Sequence, residues 1–243
     1  MATYQPMPDD DATGQGRALA LADAAVRMGF LRKVYGILTA QLLLTTAIAA
    51  PICMLGKEWV VGHVWLMYAA IAMTWVCMCA MMCNRDMTRK FPQNYAFLSV
   101  FTACTGVLVG FASAAASWQT VMLSAGVTAL VFLSMTAYAW TTKSDFTGFG
   151  PYLFAAILSL CMFSLVIMIC GMFGAPVRGM MVVYDFLGIL LFSLFIVYDT
   201  QVMMGGKHKF SLDVDEYVFA ALNLYLDIID LFLLLLDLLG SRR

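Results

Sequence analysis

Five aspartates stand inside two otherwise apolar stretches near the end of the chain: Asp185 and Asp199 in the first, then Asp227, Asp230 and Asp237 in the second. A carboxylate at mid-bilayer costs ~2.5–3.5 kcal/mol on insertion scales. No lysine or arginine lies between residues 217 and 239 to offset it. Acids so placed share protons, meet a cation or line water, which is the chemistry of ion and proton movement or of a network that pins helices together. Around a helical wheel, with Asn223 as origin, Glu216, Asp227, Asp230 and Asp237 fall within an arc of about 80°. The rest of that wheel is almost wholly Leu, Ile, Phe, Val, Ala and Tyr. Asp237 lies near the membrane exit, where the headgroup region also accommodates a charge.

The preceding stretch supplies a partner. Asp185 and Asp199 share a face, within about 40° of each other and about 21 Å apart along the axis. Only one of them can meet a given point on the last helix. In an antiparallel hairpin, residues at equal depth lie symmetrically about the turn, and Asp199 with Asp227 centres on residue 213, inside the polar segment 205–215. One proton shared between those carboxyls relieves their repulsion and makes the pair a pH sensor. Acidification closes and neutralises it; deprotonation drives the helices apart or invites a cation.

The elements that must hold these groups are membrane helices. Hydrophobic residues make up 63% of the 243, charged residues 12%, and mean hydropathy is +0.86, so a soluble domain could not cover this apolar surface. Seven stretches reach or approach the ~20 residues that a spanning helix needs: 34–56, 60–83, 94–114, 121–140, 153–175, 180–204 and 216–239. The last, which carries four acids, reads by hydropathy alone either as re-entrant or as held centrally by the other six. Residues 1–26 are polar, with an acidic run at Asp9, Asp10 and Asp11, and read as a disordered tail ahead of a membrane domain over 27–243. No cleavable leader is expected, so the first membrane helix serves as anchor.

Arg17, Arg27, Arg32, Lys33, Arg85, Arg89, Lys90, Lys143, Lys207 and Lys209 fall on one side of such a topology, and Lys57, Arg178, Arg242 and Arg243 on the other. That bias puts the N-terminus in the cytosol. A formal net charge of −1 removes nucleic acid as a partner. The seven cysteines, all in apolar stretches, read as buried small hydrophobes, and no cofactor is expected. Gly106 and Gly110 form a small-xxx-small step that lets the third helix pack closely on a neighbour.

Five motifs carry a family resemblance: Arg27-Met28-Gly29-Phe30-Leu31-Arg32-Lys33-Val34-Tyr35; Lys90-Phe91-Pro92-Gln93-Asn94; Lys143-Ser144-Asp145-Phe146-Thr147-Gly148-Phe149-Gly150; Tyr198-Asp199-Thr200-Gln201; and Glu216-Tyr217-Val218 through Leu224-Tyr225-Leu226-Asp227-Ile228-Ile229. Together they resemble the transmembrane Bax inhibitor motif family, in its lifeguard branch. The resemblance implies an all-α integral membrane protein of seven transmembrane helices, the seventh central and surrounded by the other six. It implies a pH-sensitive calcium leak in endoplasmic reticulum or Golgi membranes and suppression of cell death, with calcium, protons, the lipid bilayer and apoptosis regulators as partners. The family's proton-sharing pair maps onto Asp199 and Asp227. Its gating arginine maps onto Arg89 or Arg85, with Arg89 favoured by its spacing from Asn94 and Tyr95.

Lifeguard proteins usually carry asparagine where this chain has Asp230, so calcium is expected at Asp199, Asp227 and Asp230, with tighter block at neutral pH. Asp185, Asn223, Asp237 and Glu216 complete the expected ion pathway. Other readings of the same acids are a proton-coupled exchanger and a scaffold for cell-death regulators. An intramembrane aspartyl protease also pairs Tyr-Asp with an Asp on the next helix. Leu224-Tyr225-Leu226 before Asp227, in place of that group's glycines, argues against hydrolysis, so no enzyme activity is expected.

Overall fold

The computed structural model describes residues 10–83, 92–205 and 216–240, with side chains described from residue 25 onward except those of 81–83. The described residues form seven α-helices: α1 Asp10–Gly62, α2 Val64–Cys83, α3 Gln93–Ala115, α4 Trp118–Thr141, α5 Gly150–Met172, α6 Arg178–Met204 and α7 Tyr217–Gly240, with a short 3-10 turn Thr147–Phe149 before α5. Helix is what an apolar chain must form where no water can satisfy its backbone groups. Interior hydroxyls follow the same rule: Thr45, Thr102, Thr105 and Thr128 each donate to the carbonyl one turn back, at 2.8–3.0 Å.

Six helices are long and apolar enough to cross a membrane. The apolar part of α2, Val64–Ala80, is shorter. The stretch expected to start α2 at residue 60 instead ends α1, which bends at Gly56 (φ 79°) and continues to Gly62. His63 makes the turn, stacked on Trp59 with ring centroids 4.1 Å apart and its Nδ1 2.8 Å from the Trp59 carbonyl oxygen. At the other end α1 begins at Asp10, within the segment expected to be a disordered tail. Residues 17–26 are rich in Ala and Leu, strong helix formers that outweigh the polar start.

α7 packs against α1, α3, α4 and α6, while α2 joins the bundle through α3 and α5 through α6. Of the most apolar window of α7, 61% is buried, more than in any other candidate span. Val218, Ala221, Leu224, Tyr225 and Leu231 of α7 form the core with Phe30 and Val34 of α1 and Phe101 of α3. Large apolar side chains such as Trp65, Trp75, Phe154 and Phe173 point outward from the bundle, an arrangement that water would penalise and lipid accepts. The protein is thus a multi-pass, all-α membrane protein.

The expected close approach of the third helix is present. A Cβ placed on Gly110 would stand 2.9 Å from the Ile52 Cβ and 3.1 Å from the Ala49 Cα, and one on Gly106 3.3 Å from the Thr45 Cα. Only glycine at these two positions lets α1 and α3 pack backbone to backbone.

Candidate functional site

α6 and α7 run antiparallel, and their facing surfaces bring Asp199 and Asp227 together, each carboxyl within hydrogen-bonding reach of the other. Asp227 is 5% exposed, and its Oδ2 has no hydrogen-bond partner. Asp199 is half-buried. Both border a cavity of about 320 Å³ whose other polar walls are Tyr198, Asn223 and Asp230, with Ile157 of α5 and Phe192 of α6 among its apolar ones. Two carboxylates at this range repel strongly in an apolar surround. One shared proton, or one cation, removes the repulsion.

Gln201, one half-turn beyond Asp199 and fully buried, fixes this part of α6. Its Oε1 accepts from the Phe146 backbone N–H at 2.7 Å, and its Nε2 donates to the Ser144 carbonyl at 2.9 Å. The turn it grips is closed by Asp145, whose carboxylate accepts from the Thr147 N–H and hydroxyl at 3.0 and 2.7 Å. The two motifs around 143–150 and 198–201 are therefore one structural unit.

α7 is held from its other side. The Thr45 hydroxyl spends its single hydrogen on the Gln41 carbonyl at 2.9 Å, so the Tyr225 hydroxyl, 2.6 Å away, is the donor to Thr45. Gln41 Nε2 in turn donates to Thr102 of α3 at 3.1 Å. This chain of bonds ties α7, α1 and α3 together two residues before Asp227.

Of the stripe read on α7, Asn223, Asp227 and Asp230 share the cavity. Asp237 lies beyond it, exposed, with its carboxyl within hydrogen-bonding reach of Asp185 on α6. Glu216 precedes α7, half-buried and outside the cavity lining. The three acids expected to hold calcium, Asp199, Asp227 and Asp230, all line this cavity; among the described residues no group of three acids, histidines or cysteines is close enough to form a ready-made metal site. Asp230 is one helical turn beyond Asp227 on the same face and lines the same cavity. Arg85 and Arg89 lie outside the described residues. Sequence reasoning missed the Gln201 clamp and the Tyr225–Thr45 bond, although both residues belong to its motifs.

The profile of a family described as "Inhibitor of apoptosis-promoting Bax1" matches residues 27–243. The chain belongs to that family. Among relatives in the Bax inhibitor group, Protein lifeguard 3 of Mus musculus is 32% identical over 90% of this chain and 71% of its own length. Protein lifeguard 3 of Homo sapiens is 31% identical over 100% of this chain and 82% of its own. Protein LIFEGUARD 2 of Arabidopsis thaliana is 34% identical over 89% of each. All five motifs, both facing pairs of aspartates and the Gln201 clamp fall within the stretch matched by the Bax inhibitor profile.

Proposed function

We propose that the chain is a pH-sensitive calcium leak channel, gated by the Asp199–Asp227 pair, with all seven helices crossing the bilayer and α7 inside the bundle. The observation that carries this reading is the pair itself: two carboxyls face to face within the apolar part of a membrane bundle, bordering a cavity that also holds Asn223 and Asp230. A proton bridging the pair draws α6 and α7 together. Losing it leaves a negative site that separates the helices or draws in a divalent cation. Leu224-Tyr225-Leu226 before Asp227, where an intramembrane aspartyl protease carries glycines, supports transport over hydrolysis.

The channel would sit in endoplasmic reticulum or Golgi membranes with its N-terminus in the cytosol, as the lysine and arginine bias supports. Limiting stored calcium would link it to the inhibition of apoptosis that the family's description names. The experiment that tests transport type is a paired measurement in liposomes of calcium efflux and proton counterflow. A channel passes calcium with no fixed proton ratio. A constant ratio across calcium gradients would make the protein an exchanger and overturn the reading.

A further inference from the structure

The gate pair leaves Asp185 without a task. This residue is 2% exposed in α6, and its Oδ2 has no hydrogen-bond partner. The carboxyl facing it belongs to Asp237, which is exposed. The register of the hairpin produces this meeting. One turn deeper, a Cβ on Gly188 would stand 2.7 Å from the Leu234 Cδ1, so the missing side chain at Gly188 lets the two helices close up beside the pair. Burying a carboxylate with an empty oxygen in an apolar bundle costs far more than packing an alkyl group there. The arrangement makes chemical sense if something positive completes it.

We propose that Asp185 and Asp237 form a weak docking site for a divalent cation of the calcium type, at the end of the α6–α7 hairpin remote from segment 206–215. The buried carboxylate is a fixed hard-oxygen ligand, and the exposed one collects the ion from water; the remaining ligands are water oxygens. With no third acid, histidine or cysteine converging among the described residues, the site holds its ion loosely. Loose binding suits a pathway, because an ion that enters must also leave. The site stands about 21 Å along α6 from Asp199.

Its role as a mouth rests on the channel reading; its existence as a cation site does not. Terbium(III), a luminescent calcium substitute excited through nearby tyrosine, is titrated against the full chain in lipid nanodiscs and displaced with calcium. The site predicts a binding phase whose affinity falls at least tenfold in Asp185→Asn and in Asp237→Asn, while Glu58→Gln, an exposed acid of α1, keeps it. Equal affinity in the parent and both asparagine variants overturns the site, as does an equal loss in Glu58→Gln, which would mean surface charge alone. Calcium flux in the parent is read separately: terbium binding without flux at any pH removes the channel and leaves the site standing.

Discussion

Asp199 of α6 and Asp227 of α7 face each other carboxyl to carboxyl in the interior of the bundle, and the rest of the fold reads as a frame that keeps them there. Gln201 pins the Asp199 segment to the turn before α5. Tyr225 pins the Asp227 segment to α1. The pair therefore moves only if one of these attachments moves with it.

The Gln201 clamp predicts a local effect. Gln201→Leu leaves the Phe146 N–H and the Ser144 carbonyl without their partner, at a cost of about 1–3 kcal/mol. Hydrogen exchange at the Phe146 amide should accelerate well beyond that of amides in α1, with a lower melting temperature. Unchanged exchange at Phe146 would contradict the clamp.

The Tyr225–Thr45 bond predicts an asymmetry between its ends. Tyr225→Phe removes one hydrogen bond and orphans nothing, since Thr45 keeps its bond to Gln41; such bonds average ~0.6 kcal/mol in membrane proteins. Thr105 also stands beside the Tyr225 hydroxyl. The double change Thr45→Val with Thr105→Val therefore strands that hydroxyl and costs about 1–3 kcal/mol. Denaturation in mild detergent ranks the two, and equal losses would show that the hydroxyl is satisfied some other way.

Close packing of α1 on α3 predicts that a single methyl is harmful. Gly110→Ala must push aside the Ile52 Cβ and the Ala49 backbone, neither the free end of a flexible chain, and should lower stability by about 1–3 kcal/mol. Gly126→Ala meets nothing within 4 Å and should be neutral, or stabilising by ~0.5–1 kcal/mol as an interior helix position. Thermal unfolding of both variants checks the contrast.

The parts of this architecture that could be read from sequence are those encoded by side-chain type at regular spacing. The oily stretches gave the helices, and hairpin symmetry matched Asp199 to Asp227. The same symmetry, applied to Asp185 and Asp237, centres on residue 211 in the same polar segment. Asp237 hides that pairing, because its place near the membrane exit also suits a solitary charge in the headgroup region. Gln201 could not be matched because its partners are backbone groups 55 and 57 positions away, which leave no trace in residue type. The extent of α1 was misread because Gly56 bends the helix where a glycine after an apolar run ordinarily ends one.

The shared proton also fixes a sign. In the proposed gate, protonation bridges the pair and holds α6 against α7, so calcium flux should fall as pH falls and rise as the bridging proton is lost. Asparagine at either position donates its amide to the remaining carboxylate and leaves no proton to exchange between the two.

Calcium flux from liposomes carrying the parent, Asp199→Asn or Asp227→Asn, followed from about pH 5 to pH 8, tests this most directly. The gate predicts a pH step in the parent that both variants lose. The same step in all three would contradict it.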